Sequence, residues 1–333
     1  MVYVYKKIIG NKPYYYLRAS ERKGKRVIVK DIAYLGSTIE EVRKSLNRAE
    51  YKEKVRKAYK TIHNFLESNH WLEKAEKLKL KKDAFLDEKQ REIEACKLHY
   101  NNIFQKKDNI TKKEILKNFI IEFAFNTTSI EGNTITLQQA KNLLEEGKTP
   151  ENKTLREIYD LQNTEKVFFN IFNTNEELSH ELIVKIHSNL MENIDPRRGY
   201  RKEDVHVFKA HFEATPAPYV LTDMNLLLKW HNENKKKLPP IVLATIFHHK
   251  FEKIHPFMDG NGRTGRMLLN CILLKNSYPP LVIHKKTRTE YLETLKKADK
   301  SGLTKFLKED YFSLVQFIAD EMINSYWSIF LCP

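Results

Sequence analysis

Residues 255–266 read His-Pro-Phe-Met-Asp-Gly-Asn-Gly-Arg-Thr-Gly-Arg, and the run behind them, Met267-Leu268-Leu269-Asn270-Cys271-Ile272-Leu273-Leu274, has the composition of a buried helix. A glycine turn feeding such a helix puts Gly260, Asn261 and Gly262 at its N-terminus. There the first N–H groups lack intrahelical acceptors, and the macrodipole favours an anion. The glycines let backbone approach a ligand closely. Arg263 and Arg266 stand three apart on the first turn, so their guanidinium groups can converge on one ligand. Asp259 is a hard oxygen donor of the kind Mg²⁺ takes together with substrate phosphates. His255, just upstream, has the ordinary pKa range of a general base. The plainer alternative is a helix cap with an arginine pair and an unrelated histidine; the polyphosphate site is the preferred reading.

At 333 residues the chain is long enough for a sizeable core and two or three units. A hydrophobic content of 41% and a mean hydropathy of -0.57 describe a soluble globular chain. Apolar runs stop well short of the ~20 residues a membrane span needs. The opening Met-Val-Tyr-Val-Tyr-Lys-Lys has no signal-peptide organisation. Cys96, Cys271 and Cys332 are scattered and fit no metal knuckle. The expected address is the cytoplasm.

A net charge of +15 raises the question of nucleic acid. Lysine supplies most of that charge along the whole chain, and a generally solvated surface is the favoured explanation. Residues 1–37 read as a small antiparallel β-meander, with turn signals at Gly10-Asn11 and Lys23-Gly24-Lys25. Its tyrosines and basic residues could stack single-stranded nucleic acid; a sheet appended for packing is preferred. Residues 38–118 are helical in pattern and heavily charged, two or three long helices or a protruding hairpin. Helices are also expected over 155–171, 221–235 and 239–253, the last opening on Pro239-Pro240. His248, His249, His255 and Asp259 lack zinc-ligand spacing, and packing roles suffice for the first two. The tail from Phe306 to Phe330, apolar on one face, reads as a core or dimer helix.

Written H-P-F-x-D-G-N-G-R-x-x-R, residues 255–266 resemble the defining motif of the Fic family without a departure. Upstream, Thr127 followed by Glu131-Gly132 resembles the inhibitory motif [S/T]xxxE[G/N] of regulated Fic proteins, in the class whose inhibitory helix precedes the catalytic core. The resemblance implies a mostly α Fic-type helical bundle with a small β-hairpin flap, beside the N-terminal meander. Residues 119–175 would carry the helices with the inhibitory motif, 176–318 the catalytic core, and 319–333 the end of the C-terminal helix. His187 recurs at its place in such cores, in a structural role. The flap would contain Phe208, Lys209, Ala210 and His211, where relatives often have a glycine, and would clamp an extended target segment through backbone hydrogen bonds.

What the resemblance implies for function is a protein adenylyltransferase, moving AMP from ATP to a Ser, Thr or Tyr hydroxyl of a target protein or of itself. His255 would be the catalytic base and Asp259 the Mg²⁺ ligand. Gly260, Asn261, Gly262, Arg263, Thr264, Gly265 and Arg266 would surround the phosphates, with Arg266 at the γ-phosphate. Tyr291 would border the base, and Asp299 stands where many relatives have asparagine. Glu131, with Thr127, would restrain the enzyme by pairing with Arg266 in place of that phosphate. Glycine at 262 rather than lysine favours AMP transfer over the family's kinase-like branch. Three alternatives stay open: a de-AMPylase using Glu131 to align water, a basic nucleic-acid-binding regulator, and a module that only senses nucleotide. The resemblance also leaves a homodimer open.

Overall fold

The computed structural model describes residues 2–10, 12–24, 26–173, 176–205, 213–304 and 306–331. The chain divides into two compact units, Met1–Lys79 and Leu80–Cys332. The division falls inside the stretch that reads in sequence as one charged helical region, 38–118. Its helices therefore belong to two different bodies.

The first unit is the expected meander: β1 (Val2–Ile9), β2 (Lys12–Lys23) and β3 (Arg26–Gly36), antiparallel in the order β1-β2-β3. Gly10 and Gly24, at φ +55° and +61°, make the two turns. Alternation sends Val4, Tyr15, Leu17 and Leu35 to one face, where they pack with Ile39, Val42, Ile62 and Leu66. Those last four come from α1 (Ile39–Leu46) and α3 (Tyr59–Glu76), which flank the short α2 (Lys52–Lys57). Thr38 caps α1, its hydroxyl accepting from Glu41 N–H at 3.3 Å.

The second unit is a bundle: α4 (Lys89–Asn102), α5 (Asn109–Ile130), α6 (Leu137–Glu146), α7 (Leu155–Phe172), α8 (His180–Leu190), α9 (Val220–Asn234), α10 (Pro240–Ile254), α11 (Asn261–Lys275), α12 (Arg288–Ala298) and α13 (Lys308–Ile329). Its centre is the α10–α11 pair. Ile241 through Phe247, and Met267, Leu268, Leu269 and Leu273, are all 0% exposed, so these helices are enclosed by the rest of the bundle. α13 turns Tyr311, Leu314, Val315, Ile318 and Met322 into the same core, so its apolar face is used within the chain. Side-chain caps fix several starts. Asp108 accepts from the N–H groups of Ile110 and Thr111 to begin α5, and Thr136 and Thr154 form capping boxes with Gln139 and Glu157. The expected flap residues Phe208, Lys209, Ala210 and His211 lie outside the described residues.

Candidate active site

The site forms where α10 ends and α11 begins. α10 stops because its C-cap, His255, takes the left-handed conformation at φ +54° and ψ +59°. For a non-glycine residue this costs of order 1–3 kcal/mol and persists only where surroundings enforce it. Arg201 supplies part of that enforcement from a buried position. Its Nε donates to the His255 carbonyl at 2.8 Å, and its guanidinium also reaches the carbonyls of Glu203, Thr215 and Ile254. Its own N–H donates to the Pro256 carbonyl at 2.9 Å. In sequence Arg201 closes the run Arg197-Arg198-Gly199-Tyr200-Arg201, which carries no local sign of this role. The His255 ring has Nδ1 3.3 Å from the Glu252 carbonyl, and burial holds its pKa below the ordinary histidine value. The neutral form, the one able to accept a proton, is thereby favoured.

The turn is closed by Asn261. Its Oδ1 accepts from Phe257 N–H at 2.9 Å and its Nδ2 donates to the Phe257 carbonyl at 2.8 Å. Both ends of its amide are thus used to shape the turn. The Phe257 ring lies flat on the His187 imidazole, centroids 3.6 Å apart, and His187 Nε2 meets the Asp259 carbonyl at 2.9 Å. His187 is thus buried and structural, and burial lowers its pKa to about 4. Gly260, at φ +76°, is the N-cap of α11. The Thr264 hydroxyl donates to the Gly260 carbonyl at 2.8 Å, and Gly265 is pressed against His248 and Glu252. Thr264 and Gly265 therefore pack toward the interior, on a different side of α11 from Arg263 and Arg266.

Each charged group of the motif has a partner. Asp259 accepts from Gly260 N–H at 2.6 Å and pairs with Arg156 of α7. Burial pushes the Asp259 carboxyl up, but Arg263, Arg156 and the Gly260 N–H outweigh it and leave the pKa below the usual value. Arg263 is buried and pairs with Asp160, also on α7. Arg266, 3% exposed, donates from Nε to the Thr127 hydroxyl at 2.7 Å and from Nη2 to the Thr127 carbonyl at 3.0 Å. The same Nη2 donates to Glu131 Oε1 at 2.7 Å. Glu131 is the C-cap of α5, and a Cβ on Gly262 would overlap its Oε1. The α5 terminus is tied in place by Arg288 Nε on the Ile130 carbonyl at 2.8 Å and by Lys285 N–H on Asn126 Oδ1 at 2.8 Å.

Two residues expected near the nucleotide have protein partners. Tyr291 is 1% exposed, its ring stacked between His248 and Phe317 and its hydroxyl 2.6 Å from His248 Nε2. Asp299 meets His249 Nε2 at 3.0 Å, so its carboxylate serves α10 packing. Both belong to a helix read in sequence as bordering a ligand, whereas burial of its aromatic turned it inward. Glu252 was missed altogether. It is a largely covered carboxyl, 14% exposed, whose pKa burial raises to about 8 despite Arg266 nearby. A divalent cation would find Asp259, 37% exposed, as its carboxylate. A single carboxylate supplemented by nucleotide phosphates suits Mg²⁺.

Fold and site together define a helical protein whose central helix pair carries a histidine, a carboxylate and two buried arginines around one glycine turn. Residues 177–273 match the Fic/DOC family model. It is 30% identical over 219 residues to the protein adenylyltransferase fic-1 of Caenorhabditis elegans, covering 61% of this chain and 43% of that protein. It is 32% identical over 219 residues to the protein adenylyltransferase Fic of Aedes aegypti, covering 64% and 42%. The chain thus spans less than half the length of these curated relatives. Among solved structures, a Fic-domain signalling protein of Bacteroides thetaiotaomicron aligns with a TM-score of 0.63 and 27% identity, over 69% of this chain and 94% of that one. The mostly α, Fic-type fold is that of the relatives.

Proposed function

We propose that this chain is a self-restrained protein adenylyltransferase. The observation that carries the reading is the Glu131–Arg266 ion pair at 2.7 Å, made by Arg266 of α11 just past the turn that holds His255 and Asp259. In this reading ATP enters when Glu131 yields Arg266 to the γ-phosphate. The N–H groups at the start of α11 and the Arg263 guanidinium face the remaining phosphate charge. His255, neutral by burial, takes the proton of a target Ser, Thr or Tyr hydroxyl. That oxygen bonds to the α-phosphorus, and the bond to the pyrophosphate leaving group breaks. Bound Mg²⁺ would supply charge neutralisation at the phosphates, with Asp259 released from Arg156 to hold it. Relatives named protein adenylyltransferase support AMP as the group transferred. The target, whether another protein or a second copy of this chain, is left to experiment. Buried free thiols at Cys96 and Cys271 suit the cytoplasm as the proposed address.

The test is transfer of label from α-³²P-ATP with Mg²⁺, comparing wild type, Glu131→Gly, and Glu131→Gly with His255→Ala. The single variant should label itself or proteins of a lysate strongly and wild type weakly. The added His255→Ala should cut the rate on the order of 10²–10⁴-fold. A Glu131→Gly protein no more active than wild type sinks the restraint. Label that survives loss of His255 sinks its role as base.

A further inference from the structure

The outer face of the N-terminal sheet has no part in the site above. One face of β1–β3 packs on α1 and α3; the other carries Tyr3, Tyr5, Tyr14, Tyr16, Arg18 and Tyr34. Register makes these a continuous surface. Tyr5 stands opposite Tyr16 and Tyr16 opposite Tyr34, so a tyrosine row crosses all three strands. Ring centroids are 5.5 Å apart for Tyr16 and Tyr34 and 6.3 Å for Tyr14 and Tyr34. The Arg18 guanidinium lies over the Tyr5 ring at 3.5 Å, its orientation fixed by Asp31. Tyr34 is 53% exposed and the other tyrosines are partly so.

Beyond the row, β2 and β3 continue as a two-stranded ribbon, from Ser20 opposite Val29 to Lys23 opposite Arg26. The described residues from Glu21 to Asp31 are exposed, and among them Arg22, Lys23, Arg26 and Lys30 face only Glu21 and Asp31 in charge. Residues 1–36 hold nine Lys and Arg against two Asp and Glu. A sheet made only for packing accounts for the inner face and leaves this one without a reason.

Ring faces beside a cationic ribbon match what an unpaired nucleic-acid strand presents, bases free to stack and a phosphate backbone to be followed. A duplex keeps its bases stacked on one another and would meet only the cations. An acidic peptide would also use the cations and leave the tyrosine row unoccupied. We propose that the β1–β3 sheet binds single-stranded nucleic acid, bases on the Tyr16–Tyr34 row and phosphates along the β2–β3 ribbon.

The experiment is fluorescence anisotropy of the full chain with labelled oligo-U, oligo-dT and a duplex, each about 20 units long, a few times the footprint of one small module. Single strands should bind more tightly than the duplex, with log K falling linearly as log salt rises. Tyr34→Ala should weaken binding roughly ten-fold, Tyr34→Phe should retain it, and Arg22→Gln with Lys23→Gln should flatten the salt slope. Preference for U or dT would sort RNA from DNA, either one in support. Equal affinity for duplex, indifference to Tyr34→Ala in a variant with unchanged melting temperature, or absence of binding at low salt would each overturn the proposal.

Discussion

The carboxyl of Glu252 is held beside the buried Arg266 guanidinium. Its pKa, raised by burial from 4.5 to about 8, means the folded protein binds a proton there that the unfolded chain releases. The sign follows: this contribution to stability is fully present below about 4.5 and is lost as pH rises through about 8. Glu252→Gln keeps the shape and removes the ionisation. The variant should lose the decline in denaturation midpoint between those limits that wild type shows, as urea titrations across pH 5–9 would reveal. Equal pH profiles for the two proteins would contradict it. Sequence gave no warning of this residue. One carboxylate among His248, His249, Lys250 and Lys253 reads as a solvated helix end, and only the packing of Gly265 against it places it inside. Lys250 is the same case: 1% exposed, it donates to the carbonyls of Gly302 and Leu303 at 2.7 and 2.5 Å. The motif itself was legible because it concentrates glycines, arginines and a carboxylate at a helix start, a local pattern with a local cause.

At the scale of elements, α7 is the hinge between the motif and the α5 terminus. Its first turns place four polar side chains in four jobs. Thr154 caps the helix, Arg156 pairs with Asp259, Glu157 accepts from the Thr134 N–H and hydroxyl at 2.9 and 2.6 Å, and Asp160 pairs with Arg263. Thr154→Ala should cost about 1 kcal/mol of stability, measurable by chemical denaturation. Arg156 is 57% exposed, so its pair with Asp259 is a weak restraint of the order of 0–1 kcal/mol. Arg156→Ala should therefore tighten Mn²⁺ binding in the presence of ATP by a few-fold at most, read by electron paramagnetic resonance of free Mn²⁺. A loss of affinity would assign Arg156 to the phosphates instead. The extent of α7, Leu155–Phe172, was readable to within a residue from its apolar period. Its contacts were not, because they depend on α11 lying across it, a tertiary relation to residues about a hundred positions away.

For the whole molecule, the division at Lys79 and Leu80 has a physical reading: each unit closes a core from its own residues. A chain starting at Leu80 should unfold as one cooperative transition and keep the proposed nucleotide site. Scanning calorimetry with and without ATP would check this; a non-cooperative trace or no ATP-dependent shift would show that the first unit is needed. The sequence made the β-meander visible through strand alternation and glycine turns. It hid the boundary, because charged amphipathic helices continue without change of composition from α3 into α4.

The absence of a side chain at Gly262 also constrains how such a chain can change over generations. With Glu131 in place, any larger residue there collides with its carboxylate. Once Glu131 has shrunk, the same replacement meets chiefly Arg266 Nη1 at 3.0 Å. The two substitutions are then epistatic: order matters, and the route that alters position 131 first is open while the reverse passes through a strained intermediate. A lineage that keeps its restraint keeps its glycine.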